Sequence, residues 1–445
     1  MALGAGVALL AAFVASGLFA ALVPAWENND EFQHVQYIEY VAHHAAAPPI
    51  SPANGWESGQ PPLYYFVAAG WQALLQIPPF RPILLPPIPR ITGPVHLELD
   101  HQYSSAERTQ AVAVHELRAL SVVLGLVTVL AIFGTAFLAT HRLLLASAAA
   151  TFAALIPKNA EIFGAVTNDS LATCCCAVAT FLFLLWHSTP AGRGGLTRAA
   201  LLGLALGLGA ITKYTTLPVI GLLLVAMAAT AWVRRRGGLD TAVAMVVMAA
   251  VAGWWYVRNL MQTGQLFEQT RNEVMLRHFF PGQLLVTSLR PPALGGWLVT
   301  TLKGVAQTFW YVGGWNQLTM PTKASYVLGL GALVAALWGL ARLARGSAAS
   351  LTVAQARATA GTLTLVAAGG LAAALTVAAA TTQYQGRYVL VGVAAISTLV
   401  VAGTADLGSK FGRTGAVLGA LAWPMVMVVV ISWVFAVNVL PLAGL

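Results

Sequence analysis

The chain has 445 residues, of which 58% are hydrophobic and only 9% are charged, and its formal net charge is +9. Too few polar residues remain to cover the water-exposed surface of a chain of this length, so the composition excludes an ordinary soluble globular protein. Its basic residues do not alternate with aromatic ones along a stripe, which argues against nucleic-acid binding.

Long apolar segments predict an all-α polytopic membrane protein, since a transmembrane helix needs about 20 mainly apolar residues. We predict about eleven such helices, at residues 3–23, 112–138, 143–160, 169–187, 197–212, 216–233, 240–257, 323–341, 358–381, 388–405 and 414–438. The first lacks the basic region of a cleaved signal peptide, so we expect it to be retained.

The positions of Lys and Arg in the short loops predict the orientation of the chain. With the amino terminus in the cytoplasm, the inner loops hold two acidic residues, Asp240 and Asp406, and eleven of the 24 basic ones. These are Arg142, Arg193, Arg198, Arg234, Arg235, Arg236, Arg342, Arg345, Arg357, Lys410 and Arg413. We therefore expect a protein of the plasma or inner membrane whose acidic residues, apart from Asp240 and Asp406, face the periplasm or the cell exterior.

Two long outer loops, 24–111 and 258–322, are where we expect the function to lie. The first contains a three-residue apolar repeat that predicts an amphipathic helix along the membrane surface, starting at Asn28 or Asn29. Two further apolar segments are 61–78 and 297–314. If either crossed the membrane, the arginine-rich loops after it would lie outside the cytoplasm. We predict interfacial helices for both.

The first candidate site is Asp30-Glu31-x-x-His34, directly after the first span. Residues three and four apart share a helix face, so these side chains could point to one place, where a carboxylate could act as general base or the group could bind a divalent metal. A structural alternative is a capping box between Asn28 and Glu31.

Two further acidic candidates lie in outer loops. Glu57 and Gln60 precede a proline-initiated aromatic helix that contains Tyr64, although proline at a helix start is also ordinary structural practice. In the next outer loop, Thr167-Asn168-Asp169-Ser170 places Asp169 at the membrane edge, where it could be catalytic or could cap a helix that begins at Ser170.

Basic residues at outer helix ends are not explained by the orientation of the chain. They are Lys213, Arg258 and Arg387, the last followed by Tyr388. Each could simply extend its charge to the interface. Together they would also suit an anionic headgroup, because guanidinium groups bind phosphate oxygens in a bidentate manner.

The set resembles the GT-C superfamily of membrane glycosyltransferases, which use sugars carried on polyprenyl phosphates. The Asp30-Glu31 pair with His34 is similar to protein O-mannosyltransferases, and the stretch from Glu57 to Tyr65 is similar to aminoarabinose transferases. Two further motifs of the resemblance follow later in the chain, Thr167-Asn168-Asp169 and then Thr212-Lys213. Most of residues 1–260 is covered, so we divide the chain into a GT-C-like catalytic module, 1–260, and a second outer loop with carboxyl-terminal helices, 261–445.

The resemblance implies roles for particular residues. Asp30 would be the general base, Asp169 would assist or bind metal, and Glu31 and His34 would be neighbours of the site. Aminoarabinose transferases have Lys where this chain has Gln60, so either the lipid phosphate would depend on Lys213, Arg258 or Arg387, or the donor would be a different one. Remaining candidate substrate-binding residues are His34, Glu57, Gln60, Tyr64 and Tyr388.

The expected activity is inverting transfer of a sugar from a polyprenyl-phosphate donor to a glycan, lipid or protein acceptor outside the cytoplasm. A divalent metal ion is a possible cofactor. Two alternatives stay open: a lipid or solute transporter, and a non-catalytic membrane assembly subunit. A transporter is expected to have repeated halves and ionisable groups near the membrane midplane. This sequence shows neither pattern.

Overall fold

The computed structural model describes residues 2–51, 54–80, 105–188, 194–234, 237–267, 291–314, 318–346, 352–381 and 383–443. Within these ranges the chain is almost entirely helical, with one short hairpin of β1 (Val312–Gly313) and β2 (Leu318–Thr319). A helix satisfies its backbone amides and carbonyls internally, as an apolar solvent requires. Arg193, Arg235 and Arg236 of the predicted inner loops lie outside the described residues.

The helices follow one another with short connections. In chain order they are α1 (Ala2–Leu22), α2 (Glu31–His44), α3 (Leu63–Leu74), α4 (Ser105–Thr140), α5 (Leu143–Leu155), α6 (Pro157–Ile162), α7 (Asn168–Ser188), α8 (Gly195–Ala210), α9 (Leu217–Arg234), α10 (Gly238–Thr263), α11 (Pro291–Thr308), α12 (Thr322–Ala344), α13 (Val353–Thr381), α14 (Val393–Ser409), α15 (Gly412–Val434) and α16 (Leu440–Leu442). Tight 3-10 turns lie at Trp56–Gly59, Tyr214–Thr216 and Gly386–Gly392, and a π-helical turn, Phe435–Val439, joins α15 to α16.

Each of the eleven predicted spans contains a helix, which confirms the all-α polytopic prediction. Nine helical stretches of the described residues are long and apolar enough to cross a membrane. The other two predicted spans correspond to α5, with 13 residues, and α8, with 16. Helix α3 has 12 residues, and neither it nor α11 is among the nine stretches. The interfacial positions predicted for both stay predictions.

Two helix starts differ from the prediction. Helix α2 begins at Glu31 instead of Asn28 or Asn29, because Asp30 adopts a left-handed conformation, with φ 61°, that a right-handed helix cannot include. Helix α7 begins at Asn168, so Asp169 lies inside its first turn and does not cap a helix starting at Ser170.

Small residues allow the helices to approach closely. At the contact between α12 and α14, a Cβ atom on Gly339 would collide with the Leu399 carbonyl oxygen, and one on Gly403 with that of Ala335. Van der Waals packing of this kind associates helices where no hydrophobic driving force distinguishes protein from lipid. One buried hydrophobic cluster includes Phe19 of α1 together with Met427 and Val434 of α15, so the core joins the first helix to the last helices of the chain.

One end of the bundle carries the two acidic residues predicted to face the cytoplasm. The indole of Trp186 donates a hydrogen bond of 2.9 Å to Asp240 Oδ2, and that of Trp338 donates one of 2.9 Å to Asp406 Oδ2. Arg342 also pairs with Asp406. These contacts join neighbouring helices and leave neither carboxylate isolated.

Candidate active site

Four helix ends bring the predicted site residues together at the other end of the bundle. Asp30 directly precedes α2, and Asp169 is in the first turn of α7. Lys213 follows α8, and Arg387 is the second residue of the 3-10 turn before α14. Because these residues contact one another, the short helices α5 and α8 must each bring the chain back across the bundle to this end. The alternation of outer and inner loops predicted from the sequence places all four residues on one face in the same way.

The four side chains form a cluster of two carboxylates and two cations. Arg387 Nη2 donates to Asp30 Oδ2 at 2.9 Å, and Arg387 Nη1 lies 3.8 Å from Asp169 Oδ2. Lys213 Nζ donates to Asp169 Oδ1 at 2.7 Å. Arg387 thus joins the two acids, and the cluster, defined here as the ion cluster, is neutral in sum.

Asp30 is the most open member of the ion cluster. Its side chain is 19% exposed, whereas the side chains of Arg387, Lys213 and Asp169 are less than 10% exposed. Burial raises the pKa of Asp30, but the Arg387 guanidinium, together with Lys213, outweighs burial and holds that pKa below its ordinary value. Asp30 is therefore an ionised carboxylate that an incoming group can reach.

Hydrogen-bonding capacity in the ion cluster is incomplete. Arg387 Nε is a buried donor and Asp169 Oδ2 a buried acceptor, and neither has a hydrogen-bond partner among the described residues. Buried polar atoms are usually satisfied, and an orphaned one costs about 1–3 kcal/mol. An anion that binds Arg387 would therefore find a free donor already in place.

Tyr388 supports Arg387 from the next position. Its hydroxyl accepts from Arg387 Nη2 at 3.1 Å and donates to Gln383 Oε1 at 2.7 Å. Lys213 Nζ also lies over the Tyr388 ring, 5.8 Å from its centre. Tyr388 therefore fixes the direction of one cation and contacts the other.

A second buried network lies beside the ion cluster and centres on Tyr65. The Tyr65 hydroxyl donates to Glu57 Oε2 at 3.1 Å, accepts from Asn168 Nδ2 at 3.2 Å and lies 3.1 Å from His34 Nδ1. Burial lowers the pKa of His34 to about 3, so its imidazole is neutral at pH 7. Tyr37 stacks on Tyr65 with ring centres 3.6 Å apart.

Glu57 in this network is predicted to make folding depend on pH. Burial, followed by the charge of Asp30, raises the pKa of Glu57 from 4.5 to about 7. Below pH 4.5 the carboxyl is protonated in both folded and unfolded chains, and above pH 7 it must ionise in a buried site. The wild type should thus lose roughly 3 kcal/mol of stability between these limits, and Glu57→Gln should not.

Thermal unfolding midpoints measured from pH 4 to 8 for both proteins test this prediction. Other buried titrating groups, such as His34, are common to the two proteins, so the difference between the curves isolates Glu57. Parallel curves would contradict the assignment of Glu57 as the titrating group.

Glu31 is held away from the ion cluster by an arginine that the sequence analysis missed. Arg118, in α4, makes a bidentate pair with Glu31, through Nε at 2.8 Å and Nη2 at 2.7 Å, and both side chains are fully buried. Glu31 also accepts from the backbone amides of Trp26 and Val166. A lone arginine inside an apolar run was the available signal.

The capping box considered for Glu31 is present only in part. Asn28 Nδ2 lies 3.4 Å from Glu31 Oε1, yet Asp30 and not Asn28 occupies the N-cap position of α2. The contacts of Glu31 are those of a structural brace between α1, α2 and α4. The catalytic role predicted for it stays a prediction.

The other predicted binding residues surround the site at different distances. Tyr64 is fully buried and meets His34 edge to face, with ring centres 6.3 Å apart. Gln60 accepts from Tyr37 through its backbone carbonyl, and its side-chain Oε1 is buried without a hydrogen-bond partner among the described residues. Arg258 lies over the indole of Trp255, 4.7 Å from the ring centre, and is not part of the ion cluster.

The candidate metal ligands do not form a ligand set in this arrangement. Asp30 and Asp169 are paired with Arg387 and Lys213, and Glu31 is paired with Arg118. Over the described residues, no group of three or more His, Cys, Asp or Glu side chains is placed to hold a metal ion.

Comparison with known proteins gives a family-model match to part of the chain and a similarity of fold to solved structures. A family model described as dolichyl-phosphate-mannose-protein mannosyltransferase matches residues 54–264, a little under half of the chain. That segment contains Asp169 and Lys213 but not Asp30 or Arg387. No curated protein matches the chain by sequence.

Solved structures match over nearly the whole chain. The oligosaccharyltransferase of Archaeoglobus fulgidus, crystallised with zinc and sulfate, is 12% identical, with a TM-score of 0.56 over 96% of this chain and 53% of that one. ArnT of Cupriavidus metallidurans, bound to undecaprenyl phosphate, is 16% identical, with a TM-score of 0.40 over 92% of this chain and 79% of that one. The chain spans about half the length of the oligosaccharyltransferase.

These findings define the class of the protein. It is an integral membrane protein with the fold of the Archaeoglobus enzyme, and nine helical stretches of its described residues are long and apolar enough to span a membrane. The predicted resemblance to the GT-C superfamily is confirmed.

Proposed function

We propose that the protein is a membrane glycosyltransferase that moves a sugar from a polyprenyl-phosphate donor to a hydroxyl group of an acceptor. The observation that supports it most directly is the ion cluster, in which Arg387 contacts both Asp30 and Asp169. A carboxylate base must sit within hydrogen-bond reach of the reacting hydroxyl, and the departing phosphate needs cations beside it. The ion cluster offers both in one place.

The proposed reaction is a single displacement at the anomeric carbon. The acceptor oxygen gives its proton to Asp30 and forms a bond to that carbon, while the bond from the carbon to the phosphate oxygen breaks. The lipid phosphate leaves with the electron pair of that bond, and Arg387 and Lys213 stabilise its negative charge. Attack opposite the leaving group inverts the configuration at the anomeric carbon.

Arg387 has a further part in this mechanism. In the ion cluster it is bonded to Asp30, which lowers the basicity of the proposed base. A donor phosphate that binds Arg387 would weaken this pair, so the carboxylate becomes a better base when the donor is bound. Asp169 keeps Lys213 in place through the 2.7 Å contact and is proposed to orient it toward the phosphate.

The position of the ion cluster in the chain supports an extracytoplasmic site. Its members lie at helix ends on one side of the bundle, and Asp240 and Asp406 lie on the opposite side. The arginines of the predicted inner loops are on the side of Asp240 and Asp406. We therefore place the amino terminus in the cytoplasm and the site at the outer face of the plasma or inner membrane. His34, Glu57 and Tyr64 would line the side of the site near α2 and α3.

A transfer assay with two matched arginine variants tests the proposal. Purified protein in lipid nanodiscs is given a radiolabelled polyprenyl-phosphate sugar and a membrane extract as acceptor source. We expect label to pass to acceptor with the wild type and with Arg258→Gln. Arg387→Gln should lower donor affinity roughly ten-fold or more, because a charge-assisted hydrogen bond is worth about 1.5–3 kcal/mol.

The two arginines were equal candidates in the sequence, so their comparison is informative. Equal loss in both variants would contradict the assignment of Arg387 as the phosphate ligand. Absence of transfer by the wild type, combined with uptake of a solute into proteoliposomes, would replace the enzyme with the transporter alternative. Loss of folding would also abolish transfer, so the thermal unfolding midpoint of each variant is measured as a control.

A further inference from the structure

A cavity of about 350 Å³ lies on the face of α2 opposite His34. Phe32, Gln36, Glu39, Tyr40 and His43 of α2 line it. Most of these positions lie about half a helical turn around from His34, given 3.6 residues per turn. The cavity thus lies on the other side of α2 from His34, and Tyr37, which lines it, also stacks on Tyr65 of the buried network.

Aromatic rings form one wall of this α2 cavity. Trp26 meets Phe32 edge to face at 5.8 Å between ring centres and meets Phe80 in the same manner at 5.9 Å. Tyr40 lines the cavity and stacks on His44 at 4.1 Å. Rigid aromatic surfaces of this kind bind ligands that present an apolar face together with polar edges.

Glu39 lines the α2 cavity, and one of its carboxylate oxygens is an unsatisfied acceptor. Its Oε1 accepts from Gln72 Nε2 at 2.6 Å, which fixes the carboxylate in position. Its Oε2 is buried without a hydrogen-bond partner among the described residues, and His43 Nδ1 lies 3.7 Å away. A buried acceptor without a donor is costly, and hydroxyl groups of a ligand would satisfy it. An acyl chain could not.

We propose that the α2 cavity binds a sugar ring of the acceptor, so that the acceptor is a glycan-bearing molecule. A pyranose ring combines apolar C–H faces, which suit Trp26, Phe32 and Phe80, with hydroxyl donors, which suit Glu39. A volume of 350 Å³ is within the usual size range of small-ligand sites. This inference rests on the proposed function, because it names the acceptor class of that same reaction.

The geometry of α2 connects the cavity to the proposed base. Phe32 follows Asp30 by two residues, or about 3 Å along the helix axis, and His43 lies about 20 Å from Asp30 along it. A helix with its side chains is about 10 Å across. An acceptor with one sugar unit in the cavity can therefore pass around the start of α2 and present another hydroxyl to Asp30.

Saturation-transfer NMR with simple glycosides tests the inference without requiring catalysis. The probes are methyl glycosides of glucose, mannose, galactose and N-acetylglucosamine, together with the corresponding disaccharides, added to protein in nanodiscs. We expect saturation of at least one glycoside by the wild type, weakened roughly ten-fold or more in Glu39→Gln. The exposed Glu116→Gln is the matched control and should bind as the wild type does.

Two further variants keep the experiment decisive. Tyr40→Leu should weaken binding with less effect on the Gln72 contact, so it substitutes for Glu39→Gln if the latter fails to fold. Asp30→Asn should bind glycosides normally, which separates this inference from the proposed function, since transfer can fail while binding remains. Absence of saturation for every glycoside, or equal saturation in Glu39→Gln and the wild type, would overturn the inference.

Discussion

Asp30→Asn is expected to reduce sugar transfer by about 10²–10⁴-fold while leaving the protein folded, which is the range general base catalysis contributes. The amide of asparagine cannot take the proton that Asp30 is proposed to remove. The backbone argues for an intact fold, because Asp30 has φ 61° and asparagine accepts the left-handed region as readily as aspartate. The ion pair with Arg387 is lost, but its loss should cost little stability, because Asp30 is the most exposed member of the ion cluster.

The same substitution should leave donor binding unchanged or tighter. Arg387 loses the carboxylate that competes with the lipid phosphate, and it keeps Asp169 and Tyr388 as neighbours. Single-turnover transfer and equilibrium binding of a polyprenyl phosphate, measured on the same preparation, separate the two effects. Glu116→Gln, an exposed acid on α4, is the control for both. Transfer at the wild-type rate by Asp30→Asn would remove Asp30 from the role of base.

The membrane helices were predictable because their signal is local. An apolar run of about 20 residues has few alternatives to a transmembrane helix, whatever its neighbours are. Even α5 and α8, which fall below span length, were found from their composition. The exact start of α2 was not predictable, because the left-handed conformation of Asp30 depends on contacts with Arg387 and the loop before it.

The grouping of the site residues was predictable to the level of a membrane face. Successive spans end on alternate sides of the membrane, so counting the spans before a residue assigns it to one side. This count assigns the same side to Asp30, Asp169, Lys213 and Arg387. Their pairing was not predictable, since Arg387 is 357 positions from Asp30 in the sequence. The same count assigns Arg258 to that side, yet Arg258 lies outside the ion cluster, so a count of spans does not identify which residues are in contact.

The partner of Glu31 was the main omission of the sequence analysis. Glu31 stands beside Asp30 in the chain, and the resemblance placed both near the site. A helix directs adjacent side chains about 100° apart, so neighbours in sequence seldom share one contact. Glu31 points to Arg118 on α4, and Asp30, outside the helix, points to Arg387. The two acids of one motif therefore belong to different networks.

Arg118→Met is expected to destabilise the protein by roughly 3–5 kcal/mol, the usual cost of removing one partner of a buried ion pair. Glu31 would remain buried with its charge unpaired. Arg118 also donates to the carbonyl oxygens of Ala20 at 3.0 Å, Val23 at 2.5 Å and Pro24 at 3.0 Å, which are the last carbonyls of α1 and its exit. One side chain thus holds the loop that carries Asp30.

Thermal unfolding of detergent-solubilised protein, followed by size-exclusion chromatography, measures the effect. Arg108→Met, an exposed arginine on the same helix, is the matched control and should change the midpoint little. The double variant Arg118→Met with Glu31→Leu should recover part of the loss, because no uncompensated charge remains. If the single Arg118→Met variant unfolds at the wild-type temperature, the pair does not brace the site. A double variant that is stable and still transfers sugar would make Glu31 structural and leave catalysis to Asp30.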